Sequence, residues 1–322
     1  MTKKAKVNLE SYRKAPRLLG PDTEDALQPG GVLHAVLDEV IRDTALRLDI
    51  RARQLNVYYR GGSLLRLQGA RSPWKADFDK QYFVGDGGAM PFCPRTIVTS
   101  DDASAWVRAF PLLRAGMDKW WSSGNRRQER DDCQKLAAGH SALKGSHDVD
   151  FLVLDIEYQW AQRRFDLMAA RRRITSEDPV GWVEPDLVFV EAKSAIGPCS
   201  GRSGLGTHAR DFRDIVCARD GLAMEKIRRE YEGLIAQKTR MGLFDPNLGF
   251  QRFSSAKTDL LLVLIGIDKA DRRLRAPLEE VRAVSDTIGD RARIQFLRLD
   301  SAEQTMRADA TISVQHLMMV SE

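Results

Sequence analysis

Residues 165–195 read FDLMAARRRITSEDPVGWVEPDLVFVEAKSA, and this stretch decides the fold expected for the second half of the 322-residue chain. Two apolar runs, Phe165–Ala170 and Leu187–Ala192, flank a polar connection that contains Gly and Pro. Runs of this length and composition are typical of short buried β-strands. Both strands also carry charged residues, which are costly to bury unless they are paired, hydrogen-bonded or bound to a metal ion. The stretch therefore predicts a strand pair built around a charged site.

Strand periodicity predicts which of the charged side chains share a face of the sheet. Side chains alternate along a strand, so Glu191 and Lys193 point to one face and Ala192 to the other. If the two runs pair as a hairpin, Asp166 comes beside Glu191. Two carboxylates and the carbonyl of Ala192 are hard oxygen ligands suited to Mg²⁺, which keeps several waters for a substrate. Lys193 would then lie close enough to orient or deprotonate a metal-activated water and to stabilise charge on a phosphate.

The stretch resembles the PD-(D/E)XK nuclease superfamily, which has the restriction-endonuclease-like fold, with Glu191-Ala192-Lys193 as the E-X-K element. Two residues are candidates for the first acid. Pro185-Asp186 provides a literal PD, but Asp186 shares a strand with Glu191 at opposite parity, which is poor for sharing a metal ion. Asp166 has the spacing of a residue on a neighbouring strand and is favoured. Pro185-Asp186 is then interpreted as a strand-entry turn.

The flanking sequence contains the elements of this superfamily's core in order. The resemblance implies an α/β protein with a restriction-endonuclease-like αβββαβ core around a mixed central sheet, and it covers about residues 125 to 300. The elements predicted from apolar spacing are a helix at Arg126–Ala138, a strand at Val149–Tyr158, the two strands above, a helix at Leu222–Met241, and strands at Thr258–Ile267 and Ala292–Leu299.

A further acid is expected to complete the metal site, because many members of the superfamily add one from the preceding helix or an adjoining strand. Glu157 and Glu129 are the two candidates, and Glu157 ranks first because it ends an apolar run just before the hairpin. The simpler interpretation is that Glu157 pairs with Arg163 or Arg164 at a strand end. His208 could support the ligands, although a single histidine after a loop is more often structural.

Arginines bracket the proposed site and are candidates for contacts with nucleic acid. Arg163 and Arg164 precede the first acid, Arg171 follows its strand, and Arg202 lies in the glycine-rich loop Gly197–Gly206. Binding to a phosphate backbone needs such positive charge, and loop amides could also approach a phosphate closely. The simpler interpretation is a solvated charged face beside an ordinary surface loop.

The composition indicates a globular protein, and the charge favours a polyanionic partner. The net charge is +5 and the pI is near 9.0, which favours a nucleic-acid partner without requiring one. The strongest apolar run, Leu260–Ile267, is too short to span a bilayer, and the basic N-terminus lacks the apolar segment of a secretory signal. Four scattered cysteines without zinc-type spacing are interpreted as reduced thiols. A cytoplasmic location without membrane contact is therefore expected.

Residues 1–122 are predicted to form a small α+β module packed on a nuclease-like domain of residues 123–322. Val32–Leu48 has the spacing of an amphipathic helix, and Leu55–Gln68 has the pattern of a hairpin that turns at its two glycines. Recognition of substrate or of a partner is the role expected for this module. Tyr58-Tyr59-Arg60 could stack on bases, although ordinary hairpin side chains explain this sequence at least as well.

The function expected from the resemblance is a Mg²⁺-dependent endonuclease that hydrolyses DNA phosphodiester bonds, with Mn²⁺ able to substitute. Family analogy alone suggests restriction or anti-phage defence, and a repair or mobile-element nuclease fits as well. Many members act as dimers, so a homodimer is one expectation, and a partner protein could supply activation. Two alternatives are a catalytically inactive relative that serves as a nucleic-acid-binding or protein-interaction scaffold, and a non-nuclease enzyme whose strand charges form a structural ion-pair network.

Overall fold

The computed structural model describes residues 17–51, 54–83, 89–125, 128–143, 148–218, 221–268, 270–300 and 305–320. Within these residues the protein is a mixed α/β fold with two β-sheets, of five and six strands. Residues 1–16 of the predicted N-terminal module lie outside the described residues, as do Arg126 and Arg127 at the start of a predicted helix.

The first sheet is an antiparallel meander in the order β1-β2-β3-β4-β5. Its strands are β1 (Leu46–Arg51), β2 (Gln54–Tyr59), β3 (Gly62–Gln68), β4 (Trp74–Asp77) and β5 (Thr96–Ile97). Three helices belong to the same part of the chain: α1 (Pro21–Leu27), α2 (His34–Arg42) and α3 (Ser100–Trp120). The predicted hairpin at Leu55–Gln68 is confirmed as β2 and β3.

The predicted helix at Val32–Leu48 is wrong in its last third, where the chain begins β1. Asp43 takes an extended conformation that ends α2, and its carboxylate accepts a hydrogen bond from the amide of Ala45. Leu46 and Leu48 then alternate with polar residues along the strand. Since Leu48 fits the helical spacing as well as the strand spacing, pairing with β2 decides between them.

The second sheet has the order β11-β10-β9-β8-β7-β6. Its strands are β6 (Phe151–Trp160), β7 (Arg163–Arg171), β8 (Asp186–Lys193), β9 (Thr258–Ile265), β10 (Ala292–Leu299) and β11 (Ile312–Ser313). Strands β6, β7 and β8 are antiparallel, β9 runs parallel to β8 and β10 parallel to β9. The helices of this part are α4 (Gln128–Gly139), α5 (Leu205–Val216), α6 (Leu222–Arg240), α7 (Arg275–Ile288) and α8 (Val314–Val320).

Helices cover both faces of the second sheet and form a three-layer arrangement. On one face Leu136 of α4 packs in a cluster with Val190 of β8. On the other face the ring of Phe189 lies 5.4 Å from that of Phe212 in α5. Strand β9 is buried along its whole length, as expected for a central strand between two layers. The apolar pattern did not predict α5 or α7, and α5 begins inside the loop expected at Gly197–Gly206.

Buried polar contacts join the two sheets. Asp155 of β6 accepts hydrogen bonds from three side chains in other parts of the chain: Arg17, Arg51 and Tyr231. Lys238 of α6 donates to the carbonyl of Leu154 at 2.6 Å and lies 3.3 Å from Asp49 of β1. One hydrophobic core also contains residues of both halves, so a domain boundary near residue 122 stays a prediction. Within the described part of the chain, no helix combines the length and apolar character needed to cross a membrane.

Candidate functional site

The candidate site lies where β6 and β7 both change the face of the sheet to which their side chains point. On β7, Leu167 packs on the face of the sheet that α4 covers. Phe165, two residues earlier, packs instead in the core that contains α5. The β6 residues that pair with Leu167 and Phe165 show the same change of face. Glu157 of β6 lies opposite Asp166 of β7, and the strand register skips this pair. Glu157 has a φ of 53°, a left-handed conformation that is uncommon for a non-glycine residue and is often found at functional sites. The irregularity displaces Asp166 from the regular ladder.

Strands β7 and β8 separate at the same position. Their backbone pairing ends at Leu167 and Val190. One residue further along, Asp166 Oδ2 accepts a hydrogen bond of 2.9 Å from the backbone amide of Ala192. The structure therefore brings Asp166 beside the E-X-K residues, where the parity argument expects it.

Two basic side chains approach the same oxygen of Glu191. Lys193 Nζ donates to Glu191 Oε1 at 2.6 Å, and both side chains are almost fully buried. His208 Nε2 of α5 lies 2.8 Å from that oxygen. Nε2 lies close to this oxygen without the alignment of a hydrogen bond, and it forms no well-aligned hydrogen bond with any described residue. Glu191 Oε2 is buried and has no hydrogen-bond partner among the described residues.

Burial and charge shift the pKa values of the site. Burial, reinforced by the negative charge of Glu191, raises the pKa of Asp166 to about 7. Burial lowers the pKa of Lys193 and of His208, but the neighbouring acids, chiefly Glu191 and also Asp166, outweigh it in both cases, so the pKa of each is raised above its ordinary value. The raised pKa values favour the protonated forms of Lys193 and His208, and Asp166 resists ionisation.

These side chains line one pocket of about 230 Å³ between the sheet, α4, α5 and the β2–β3 turn. Both candidates for an additional acid also line it. Glu129 Oε1 lies 4.0 Å from Lys193 Nζ, while Glu157 Oε1 lies 3.5 Å from Arg130 Nη2 of α4. Glu157 is therefore paired with an arginine, as the simpler interpretation expected, although the arginine is Arg130 and not a neighbour in β7. Gly61 of the hairpin turn closes one side of the pocket.

The predicted nucleic-acid-binding arginines do not form one surface. Arg164 is exposed and lines the pocket, and Arg202 is exposed beside Ser203, which also lines it. Arg163 instead donates to Asp214 of α5 at 2.9 Å. Arg171 lies at the far end of β7, and its partly buried side chain forms ion pairs with two acids of neighbouring strands: Asp186 and Asp259. The expectation that Arg171 binds nucleic acid is not supported, because its guanidinium belongs to the sheet.

Two alternatives from the sequence also lie away from the pocket. Asp186 pairs in register with Arg171 and accepts a hydrogen bond of 2.7 Å from it, so the literal PD lies at the opposite end of β8 from Glu191. Tyr58 and Tyr59 are buried in the hairpin, and Arg60 pairs with Asp118 at 2.7 Å. Stacking of Tyr58-Tyr59-Arg60 on bases is therefore not supported.

The residues present fit a Mg²⁺ ion held by a small number of protein ligands. Among the described residues, no three His, Cys, Asp or Glu side chains are grouped so that they could hold a metal ion together. Mg²⁺ does not require such a group, because it is usually bound by one or two carboxylates, with water and substrate oxygens in the remaining positions. Glu191, whose buried Oε2 has no hydrogen-bond partner in the described part of the chain, and the adjacent Asp166 provide such a pair.

Two features of the site had little signal in the sequence. His208 became a neighbour of Glu191 only because α5 packs on the sheet, and its sequence position after a glycine-rich loop gave no reason to prefer it. Cys133 of α4 is buried and lines the pocket, and burial together with the charge of Asp166 raises the pKa of its thiol. All four cysteines are free.

No family model, curated protein or solved structure matches this chain.

Proposed function

We propose that the protein is a metal-dependent nuclease of the PD-(D/E)XK type that hydrolyses DNA phosphodiester bonds with Mg²⁺, or with Mn²⁺ in its place. The observation that carries the proposal is the meeting of Asp166, Glu191 and Lys193 in one pocket, where a buried carboxylate oxygen of Glu191 has no hydrogen-bond partner among the described residues. The order of elements supports it, since α4, the antiparallel β6–β8, the helices α5 and α6, and the parallel strand β9 follow the αβββαβ sequence.

Each residue has a separate task in the proposed reaction. The bound ion would supply Lewis-acid stabilisation of the phosphate and an acidic water. Asp166 and Glu191 would provide the negative oxygens that hold it, and the carbonyl of Ala192, the next residue along β8, would add a neutral oxygen. Lys193 brings a positive charge next to these oxygens, where it can orient a water and stabilise the negative charge that develops on the phosphate.

Two further acids on the walls of the pocket, Glu157 and Glu129, could assist in binding the ion. Glu157 and Glu129 line the pocket without contacting Asp166 through any described hydrogen bond. We propose that Glu157 contributes through a bound water when its contact with Arg130 opens. Arg130 is then free to join the exposed Arg164 in binding a phosphate of the DNA backbone.

The test is cleavage of supercoiled plasmid and of linear single-stranded DNA with Mg²⁺, Mn²⁺ or EDTA. The informative variant is Lys193→Met, which keeps the length of the side chain and removes its charge. The matched control is Lys135→Met on α4, because Lys135 pairs with Asp131 and does not line the pocket. We expect metal-dependent cutting that falls on the order of 10²-fold or more in Lys193→Met, as for removal of a positioned catalytic group, and that is unchanged in the control.

Two results would contradict the proposal. Cleavage that persists in EDTA would show that the reaction needs no metal ion. Cleavage by a folded Lys193→Met protein at the wild-type rate would show that the E-X-K lysine has no catalytic role. Absence of any cutting by a well-folded wild-type protein favours the scaffold alternative.

A further inference from the structure

We propose that His208 is a positioning residue of this site, which braces β7 against β8 and holds Glu191 with its Oε2 directed to the metal ion. The proposal rests on the proposed function, because it assigns a role toward the same ion. It adds a residue from α5, outside the strands that carry the E-X-K element.

The first argument is the position of the imidazole between the two strands. The backbone ladder of β7 and β8 ends at Leu167 and Val190. Beyond that point His208 spans the gap, because its Nδ1 lies 3.1 Å from the carbonyl oxygen of Arg164 on β7 and its Nε2 lies 2.8 Å from Glu191 on β8. The carbonyl can only accept, so Nδ1 is the donor. The ring therefore joins the strands where their backbones no longer do.

The second argument is that packing fixes the ring in this orientation. Only 9% of the surface of His208 is exposed, and its ring lies 6.1 Å from the ring of Phe165. One turn further along α5, Phe212 packs against Phe189 of β8. Because α5 is held to the sheet on this side, the imidazole cannot swing away without disturbing buried aromatic contacts.

The third argument is the division of the Glu191 carboxylate between its two oxygens. Lys193 and His208 both approach Oε1, and Oε2 is buried without a partner among the described residues. A carboxylate held on one oxygen by protein groups leaves the other oxygen with a fixed direction. Histidines and carboxylates around metal sites are commonly oriented in this way by the groups behind them, and loss of such a group typically costs 10–100-fold in metal affinity.

A second buried histidine provides the matched control. His140 is fully buried, and its Nδ1 lies 3.0 Å from the carbonyl oxygen of Phe151 while its Nε2 accepts from the amide of Met306 at 2.7 Å. It thus also joins two segments of the chain, but it does not line the pocket. Loss of His140 measures the effect of removing a bridging histidine on the fold alone.

The experiment is titration calorimetry of Mn²⁺ into nucleic-acid-free protein, with urea unfolding of each variant in EDTA. We expect His208→Ala to weaken Mn²⁺ binding about 10- to 100-fold. We expect His208→Gln, whose amide can donate to Glu191, to recover part of the loss. His140→Ala should lower stability and leave the Mn²⁺ affinity unchanged.

The outcomes separate this inference from the proposed function. Wild-type affinity in a folded His208→Ala protein overturns the positioning role alone, and so does an equal loss of affinity in His140→Ala. Failure of the wild-type protein to bind Mn²⁺ at all overturns the metal site and the positioning role together. If His208→Ala does not fold, the Mn²⁺ affinity of His208→Gln is compared with that of His140→Ala. An affinity of His208→Gln no lower than that of His140→Ala overturns the positioning role.

Discussion

Replacement of Asp166 by asparagine should stabilise the metal-free protein at neutral and alkaline pH. The carboxyl group lies in the pocket beside Glu191, and the pKa of Asp166 is raised from 3.8 to about 7. Ionisation of this group therefore costs the folded state more than the unfolded state. Asparagine has nearly the same shape and carries no charge, and its Oδ1 can still accept the hydrogen bond from the amide of Ala192.

The magnitude follows from the pKa difference. A difference of about 3 units at about 1.36 kcal/mol per unit sets a ceiling of about 4 kcal/mol. Asp166 is only partly buried, so solvent screening reduces this figure, and we expect a gain of about 1–3 kcal/mol in the free energy of unfolding at pH 8.

The pH dependence gives the prediction its sign. Between about pH 4 and pH 7 the folded wild type keeps a proton on Asp166 that the unfolded chain has lost, so its stability falls as the pH rises through this window. The asparagine of the variant has no such proton to lose. The advantage of the variant should therefore be largest at pH 8 and should disappear near pH 4.

The measurement is urea unfolding of wild type and Asp166→Asn in EDTA at pH 4.5, 6 and 8. Addition of Mn²⁺ should narrow the difference, because a ligand that binds only the folded wild type stabilises it to a degree that grows with its concentration. The control is Asp186→Asn on the adjoining strand, which should be destabilising at pH 8 because it removes the partner of Arg171. An Asp166→Asn protein that is no more stable than wild type at pH 8 would refute the reasoning.

Three further predictions concern the stability of the fold. Asp155→Ala should cost about 3–5 kcal/mol in urea unfolding, because it leaves two arginines at the junction of the sheets without their carboxylate, and a loss below about 1 kcal/mol would contradict this. Thr99→Ala removes the capping box of α3 and should lower the free energy of unfolding by about 1 kcal/mol in thermal melts, with unchanged stability as the contrary result. Gly61→Ala should cost more than about 1 kcal/mol, because Gly61 has a φ of 76° and an added Cβ would lie 2.7 Å from the carbonyl oxygen of Arg130. Gly124→Ala, with a φ of 93° and open space around it, is the control and should cost less in the same unfolding assay.

Much of the second sheet was predictable because its strands carry strong local signals. Short continuous apolar runs are typical of buried strands, and the structure has a strand at each of the three runs, which begin at Phe165, Leu187 and Thr258. The error at Leu46 has an equally local cause, since a few residues there satisfy helical and strand spacing at once. The helices α5 and α7 were missed because each begins in a polar or glycine-rich stretch that reads as a loop.

The sequence by itself determined the chemistry available to the site. The parity of Glu191 and Lys193 on one strand follows from the two-residue period of a β-strand alone. The place of Asp166 beside them follows once the two apolar runs pair as a hairpin. These residues meet in the structure as the spacing expects.

Only the tertiary structure decided what surrounds those residues. The left-handed Glu157, the end of the β7–β8 ladder, the approach of His208 to Glu191 and the ion pairs of Arg171 within the sheet all depend on how separate segments pack. No local pattern records them, because each contact joins residues whose neighbours in sequence make different contacts. The strand period places side chains on a face, whereas packing between helices and sheet determines which of them become a site.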